Sequence, residues 1–287
     1  NILFSNELFD FKDATGTNAI SDFANRFIGG NYLGNGFVQE EKMFHEALIL
    51  FFTQFKLYDE NQPLRLSNKQ IIVFKDVEKL LTSNMYGSVK SNWKTKVKDV
   101  SPTQLGNVVA FNCLNLSEYE PSQYNYTEFI KGGYRIYNRN YTKEEVEWHL
   151  TKFINVVNGS INSGITELHS GGAGAGVFGH SLNVSIILQS LAVHIVNTIR
   201  NTDFKLYLHL PSLNKTLFDK ILKNIEDNKG TNIPECIDNI TNFITNTTDY
   251  HYKISTRPIK ISPPTNPPSQ STRQSTRQSP YNRIASP

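Results

Sequence analysis

Two adjacent glutamates follow a glycine-rich segment near the beginning of the chain. Residues 22–44 read DFANRFIGGNYLGNGFVQEEKMF, in which Gly29 and Gly30 precede Glu40 and Glu41. A glycine-rich loop that leads into a helix can turn backbone N–H groups toward phosphate, and the helix N-terminus adds partial positive charge. Consecutive helical residues point about 100° apart, so the two carboxylates take separate roles, one at a reacting bond and one beside it.

A simpler interpretation is that Glu40 and Glu41 only complement the positive end of a helix dipole. The polar residues Asp22 and Asn25, which stand just before the glycines, favour the chemical interpretation instead. From the residues alone, both interpretations of Glu40 and Glu41 stay open.

A second glycine-rich segment, residues 170–181, reads SGGAGAGVFGHS. Gly174, Gly176 and Gly179 fit the G-x-G-x-x-G pattern of dinucleotide-binding loops, which is a weak signal on its own. No Gly-Lys-Ser/Thr follows, which excludes a P-loop. The pattern leaves open an oxidoreductase with a nucleotide cofactor. We expect the neighbouring His180 to be an exposed turn residue.

The elements that position both segments alternate between strands and helices. Such alternation predicts a mixed or parallel sheet covered by helices on both faces. The runs rich in Val, Ile, Phe and Tyr predict strands at Ile20–Ala24, Gln70–Lys75, Asn107–Leu114, Ile165–His169 and Phe204–Leu210. The helical patterns cover Gln39–Phe55, Lys143–Val157, Ser181–Arg200 and Ser212–Ile225. Parallel-sheet ligands bind where strands end, so both glycine-rich loops are predicted to share one site.

The charge of the chain is concentrated in its last residues. Five basic residues and no acidic ones lie in residues 257–287, which leaves a net charge of −2 on residues 1–256 out of +3 for the whole chain. This distribution does not predict a nucleic-acid-binding domain. The tail also holds seven of the 12 prolines and a repeated STRQ unit, so we expect it to be disordered.

The remaining composition excludes other classes of protein. Cys113 and Cys236 are too few for a disulfide framework, and we expect both to pack as small apolar residues. No segment approaches the roughly 20 apolar residues of a membrane helix, so we expect a soluble protein without a membrane partner.

Taken together, these motifs resemble the poly(ADP-ribose) glycohydrolase family, whose members have a macrodomain fold. DFANRFIGG followed by QEE resembles the catalytic signature, and residues 170–181 resemble the loop that binds diphosphate and ribose. Residues 106–114, GNVVAFNCL, resemble the central strand of the family. The resemblance covers about residues 8–226. It implies a three-layer α/β/α fold with a mixed sheet over residues 1–256.

The chain departs from the family pattern at several positions. Asn31 replaces the third glycine of the GGG motif, and Tyr86 is a near match to the adenine-stacking tyrosine. A second stacking aromatic, expected near His209–Leu210, is absent from that position. Three further positions differ from relatives, which carry Trp, Cys and Asp where this chain has Ala173, Ala175 and Ser181.

The resemblance implies a substrate and a role for each site residue. The substrate is the ribose–ribose O-glycosidic bond of poly(ADP-ribose), and Glu41 is the general acid that protonates the leaving oxygen. By the same resemblance, Glu40 and Asn25 hold ribose hydroxyls, Asp22 orients the loop or meets the adenosine, and Gln39 supports the loop. The resemblance also implies that the diphosphate is bound by the N–H groups of Gly29, Gly30, Gly174 and Gly176, and that Phe178 packs against the ribose. Asn31 and Tyr86 are the remaining residues predicted to bind the substrate.

No cofactor and no metal are implied. The expected partners are poly(ADP-ribose) or ADP-ribosylated proteins, and we expect a monomer located in the nucleus or cytoplasm. An alternative is a macrodomain that binds ADP-ribose without hydrolysing it, which Asn31 and the altered aromatic residues favour.

Overall fold

The computed structural model describes residues 1–24, 28, 39–47, 49–50, 66, 69–83, 97–113, 127–131, 134–138, 140–175, 178–247 and 254–256. Nine strands lie in these ranges: β1 (Ile2–Ser5), β2 (Asn18–Ala24), β3 (Ile72–Ser83), β4 (Val97–Asn112), β5 (Thr127–Lys131), β6 (Tyr134–Asn138), β7 (Glu167–Ser170), β8 (Lys205–His209) and β9 (Ile254–Thr256). The described helices are α1 (Gln39–Glu46), α2 (Lys143–Asn162), α3 (Leu182–Arg200), α4 (Lys215–Asn228) and α5 (Ile233–Asn246), with one 3-10 turn at Phe11–Asp13.

The main sheet has six strands in the order β1-β8-β7-β2-β4-β3. The first five are parallel to their neighbours, and β3 runs antiparallel to β4. The carboxyl ends of the parallel strands therefore meet at one edge, which we call the upper edge. A separate antiparallel sheet has the order β5-β6-β9. The mixed sheet predicted from the sequence is confirmed.

Each face of the main sheet packs against its own hydrophobic core. One core joins the sheet to α2, α3, α4 and α5 and includes Phe111, Phe153, Leu191, Phe218 and Ile240. The other joins it to α1 and the 3-10 turn and includes Ile20, Val108, Phe11, Met43 and Phe44. Side chains alternate between the faces of a strand, so the two cores take alternate residues of β2 and β4. The protein thus has the three predicted layers.

Hydroxyl and amide side chains cap the long helices. Such residues start helices because a side-chain oxygen accepts from a backbone N–H that has no partner inside the helix. The caps of α2, α3, α4 and α5 are Thr142, Ser181, Asn214 and Asn232. The sequence predicts α2, α3 and α4, whereas α5 was not predicted.

The first helix is shorter than predicted. The sequence pattern predicts one helix over Gln39–Phe55, whereas α1 ends at Glu46 and Ala47 is not helical; Ile49 and Leu50 are helical again, and residues 51–55 lie outside the described residues. The side chains of Met43 and Phe44 are buried against the sheet. A helix of eight residues has little stability by itself, so tertiary packing must fix its position.

The two cysteines pack as predicted, since both are buried and unpaired by disulfide. Burial raises the pKa of the Cys113 thiol to about 12, so it stays protonated at neutral pH. The expectation about apolar segments needs correction at α3, which is long and apolar enough by composition to cross a membrane. However, 67% of its most apolar stretch is buried inside this fold, as in the core helix of a globular protein.

Candidate active site

Helix α1 begins near the upper edge and is tied to β2 by its first residue. The Gln39 side-chain amide donates a hydrogen bond to the Ser21 carbonyl oxygen over 3.0 Å. Glu40 follows in the first turn with only 5% of its surface exposed. Glu41 lies in the same turn, and its side chain is outside the described part of the chain. The first turn of α1 is thereby held beside the middle of β2, about 10 Å before the carboxyl end of that strand.

The far end of α1 is fixed by buried charges. The Glu46 carboxylate, 2% exposed, lies 2.6 Å from Lys42 Nζ and 3.3 Å from Lys79 Nζ. Lys79 on β3 is also buried and contacts both carboxylate oxygens of Asp10 at 2.9 and 3.1 Å. We call these four residues the Lys79 cluster. A long side chain from β3 thus connects the end of α1 to the residue before the 3-10 turn, which limits the directions that α1 can take.

The second glycine-rich loop follows β7 at the same edge, next to β2 in the sheet. Side chains of α3 hold its carbonyl groups: Gln189 Nε2 donates to the Gly171 oxygen and Ser185 Oγ donates to the Ala173 oxygen, each over 2.9 Å. In a trans peptide the C=O and the following N–H point in opposite directions. The N–H groups of Gly172 and Gly174 therefore point away from α3. This is the orientation that binding of an anion at the upper edge requires.

His180 lies beneath this loop, so the prediction that it is an exposed turn residue was wrong. Its exposure is 7%, and its backbone N–H donates to the Gly174 carbonyl over 3.0 Å. Gly174 has φ +72°, and a Cβ there would lie 2.4 Å from the His180 ring. The ring also packs edge-to-face on His149, with centroids 4.5 Å apart. The loop therefore closes over a buried histidine pair.

His149 is held as a neutral ring. Its Nδ1 lies 2.6 Å from the Glu145 carbonyl oxygen, which makes Nδ1 the donor. Its Nε2 is buried and has no hydrogen-bond partner among the described residues. Burial is the main cause that lowers the pKa of His149, to about 4, and the contact with Glu145 opposes the shift.

An aromatic wall lies at the ends of β2 and β8. The Phe9 ring is 6.5 Å from the Phe23 ring and 5.4 Å from the His209 ring between centroids. A Cβ at Gly171 would contact Phe23 at 3.5 Å and Phe9 at 3.6 Å, so both rings border the glycine-rich loop. The sequence analysis missed Phe9, because only the pairing of β1 with β8 brings its loop to this edge.

His209 is fixed within this wall. Its Nε2 lies 2.9 Å from His169 Nδ1, and its Nδ1 lies 3.1 Å from the Glu7 carbonyl oxygen. The pKa of His209 is lowered chiefly by burial, and the contact with Glu7 opposes this. The family pattern has a second adenine-stacking aromatic residue near His209–Leu210, which this chain lacks. The imidazole of His209 and the ring of Phe9 border that position.

Of the other predicted residues, Asp22 and Phe178 are described. Asp22 is fully buried on β2, and Phe178 is half-buried against the core that contains α2 and α3. The remaining predictions lie outside the described residues, namely Asn25, Gly29, Gly30, Asn31, Tyr86 and Gly176. Among the described residues there is no group of three His, Cys, Asp or Glu side chains that could hold a metal ion.

One profile of a known protein family matches most of this chain. A family profile described as poly(ADP-ribose) glycohydrolase, macro domain fold, matches residues 10–200. This chain belongs to that family. The matched range begins before Asp22 and ends with α3, so it includes α1 and the glycine-rich loop. The resemblance stated from the two motifs is confirmed.

Solved structures give weaker similarities. The Oceanobacillus iheyensis macrodomain with MES bound is 12% identical with a TM-score of 0.46, over 79% of this chain and 91% of that one. The same macrodomain with ADP is 13% identical with a TM-score of 0.43, over 75% and 88%. The poly(ADP-ribose) glycohydrolase from Deinococcus radiodurans in complex with ADP-ribose is 10% identical with a TM-score of 0.44, over 79% and 84%. No curated protein matches the chain. Structural similarity at this level does not indicate a shared function.

Proposed function

We propose that this chain hydrolyses the ribose–ribose O-glycosidic bonds of poly(ADP-ribose) and releases ADP-ribose, with Glu41 as the general acid. The observation that carries the proposal is the place where α1 begins. Gln39 ties the first turn of α1 to Ser21 on β2, three residues before the end of that strand, and the family profile spans this region. The turn that carries the two consecutive glutamates therefore begins just below the edge where the glycine-rich loop turns its N–H groups outward.

The order of the strands supports the placement of the substrate along this edge. The loop after β7 would bind the diphosphate through the N–H groups of Gly172 and Gly174, which α3 side chains orient. The half-buried ring of Phe9, which packs on His209 at the end of β8, offers a face on which an adenine can stack. On the other side of β7, the end of β2 and the first turn of α1 then meet the ribose that carries the bond to be cleaved.

The chemical step requires a proton on the leaving oxygen, because cleavage proceeds through an oxocarbenium-like centre. In the proposal, Glu41 gives that proton and, once ionised, accepts a proton from the attacking water. Glu40, buried beside it, would hold ribose hydroxyls rather than transfer protons. The N-terminus of α1 favours negative charge at the same place, which supports the ionised form of the acid after transfer.

The proposal is tested by incubating the protein with labelled poly(ADP-ribose) and identifying the products. Free ADP-ribose is the expected product. An intact polymer together with measurable binding of ADP-ribose would contradict hydrolysis and favour the binding module. A parallel titration with NAD⁺ and NADH tests the oxidoreductase alternative, for which we expect no hydride transfer.

A further inference from the structure

Asn112 is the last residue of β4 and lies at the upper edge beside the candidate site. It is level with Ala24, the last residue of β2. Ala24 and Val108 belong to the core shared with α1. Because side chains alternate along a strand, Asn112 shares the face of Val108, on which α1 packs. The carboxamide is therefore on the same side of the sheet as the two glutamates.

Asn112 is also nearer to the upper edge than the first residue of α1, so the helix does not cover it. Gln39 contacts Ser21, which is level with Val109 on β4. Asn112 is three residues farther along, about 10 Å nearer the edge. At its other end α1 reaches Lys79, which is level with Gln104. The helix thus runs away from the edge, and its N-terminus faces the end of β4.

The Asn112 carboxamide is buried without its full set of hydrogen bonds. The residue is 7% exposed, and its Oδ1 has no hydrogen-bond partner among the described residues. Asn107 on the same strand is also buried, but its side-chain oxygen and nitrogen are both hydrogen-bonded. Its Nδ2 donates to the Gly16 and Asn18 carbonyls at 2.9 Å each, and its Oδ1 accepts from the Asp76 N–H at 3.2 Å. Buried polar atoms are almost always paired, so an unpaired carbonyl oxygen destabilises the free protein.

We infer that the Asn112 carboxamide is a substrate-binding group that accepts a hydrogen bond from a hydroxyl of the ribose at the cleaved bond. This inference rests on the proposed function. A carbonyl oxygen cannot pair with ionised phosphate, which has no donor, so its ligand must be a hydroxyl or an amine. The glycine-rich loop follows β7 on one side of β2, whereas Asn112 ends β4 on the other side. A ligand with its diphosphate at the loop and its reacting ribose at α1 brings hydroxyl groups to Asn112.

The substitution Asn112→Leu tests the inference, because leucine has nearly the same shape and needs no hydrogen bond. The variant is expected to unfold at the same or a higher urea concentration than the wild type, since no hydrogen bond is lost. It is also expected to bind ADP-ribose about tenfold more weakly, the usual effect of one lost hydrogen bond. Binding of ADP, which lacks the second ribose, should be unchanged.

Asn107→Leu is the comparison variant, and it is expected to lower the urea midpoint clearly because three hydrogen bonds are lost. An equal loss of stability in Asn112→Leu would overturn the inference, as would unchanged binding of ADP-ribose. Equal weakening for ADP and ADP-ribose would also overturn it, by placing the contact on the adenosine half. If the wild type binds no ADP-ribose, the proposed function itself fails; if the wild type binds and Asn112→Leu binds equally, only the inference fails.

Discussion

The Gln39 side-chain nitrogen lies 3.0 Å from the Ser21 carbonyl oxygen, and this contact joins the first residue of α1 to β2. The helix has only eight residues, so its first turn depends on such contacts for its direction. The position of Glu40 and Glu41 relative to the sheet follows from this hydrogen bond at one end of the helix and from the Lys79 cluster at the other.

Replacing Gln39 with leucine should therefore reduce the rate of hydrolysis more than it reduces stability. Loss of one hydrogen bond costs about 1 kcal/mol of folding free energy. Displacement of the general acid by a fraction of an ångström can lower kcat by tenfold or more. The rate of ADP-ribose release and the urea midpoint measure the two effects. Gln104→Leu, far from the upper edge on β4, should change neither; an equal rate for Gln39→Leu would contradict the positioning role.

The buried charges of the Lys79 cluster should control stability. Lys79→Met leaves the Glu46 carboxylate with Lys42 alone and removes the contacts with Asp10, which should cost about 1.5–3 kcal/mol of unfolding free energy. The double variant Lys79→Met with Glu46→Leu should recover part of that loss, because it removes the most deeply buried carboxylate, while Asp10 and Lys42, which are left without these partners, reach solvent. Urea denaturation measures all three proteins. The exposed pair Lys215–Asp219 provides the control, since Lys215→Met should cost less than about 1 kcal/mol.

Gly174 should tolerate no side chain. Alanine there would adopt a left-handed backbone, which costs about 1–3 kcal/mol, and its Cβ would overlap the His180 ring. Gly174→Ala should therefore destabilise the protein and weaken ADP-ribose binding. Gly164 is a matched control, because its φ is +78° but a Cβ there meets nothing within 4 Å. Gly164→Ala should show only the backbone cost, and similar binding losses in both variants would contradict the role of the loop.

Protein stability should fall as pH decreases from about 6.5 to about 4, in part because of His149. Burial lowers the pKa of His149 from 6.5 to about 4, so in this window the unfolded chain takes up a proton that the folded protein does not. The unfolded state gains from that proton, with a total effect of about 3 kcal/mol. His149→Phe should flatten the curve of unfolding free energy against pH. His194→Gln, at an exposed position of α3, should leave the curve unchanged; the same slope in His149→Phe would contradict the assignment.

Much of the fold could be predicted because its signals are local. Apolar runs marked β2, β4, β7 and β8, and a helical stripe marked α2. Other elements depend on distant partners: β1 has only four residues and is held as a strand by β8, and β9 pairs with β6 across more than 100 residues. Asn and Thr are poor helix formers, so α5 was missed although Cys236, Ile240 and Ile244 form a buried stripe.

The candidate site likewise combines residues that a local motif identifies with residues that depend on distant parts of the chain. The motif identified Gln39 and Glu40, which lie near the upper edge, but it could not indicate that Gln39 contacts Ser21. His180 was predicted to be exposed because its neighbours are glycines. It is buried because Tyr141 and His149, from another part of the chain, pack against its ring. Phe9 carries no motif, and its position depends entirely on the pairing of β1 with β8.

The central claim, that Glu41 supplies the proton for glycosidic cleavage, is tested most directly by the rate of ADP-ribose release from labelled polymer by Glu41→Gln. This substitution keeps the size of the side chain and removes the acid. The account predicts a loss of at least a hundredfold in rate, with ADP-ribose binding retained. Glu144→Gln, which changes an exposed glutamate in the first turn of α2, should release ADP-ribose at the wild-type rate. Hydrolysis by Glu41→Gln at the wild-type rate would contradict the account.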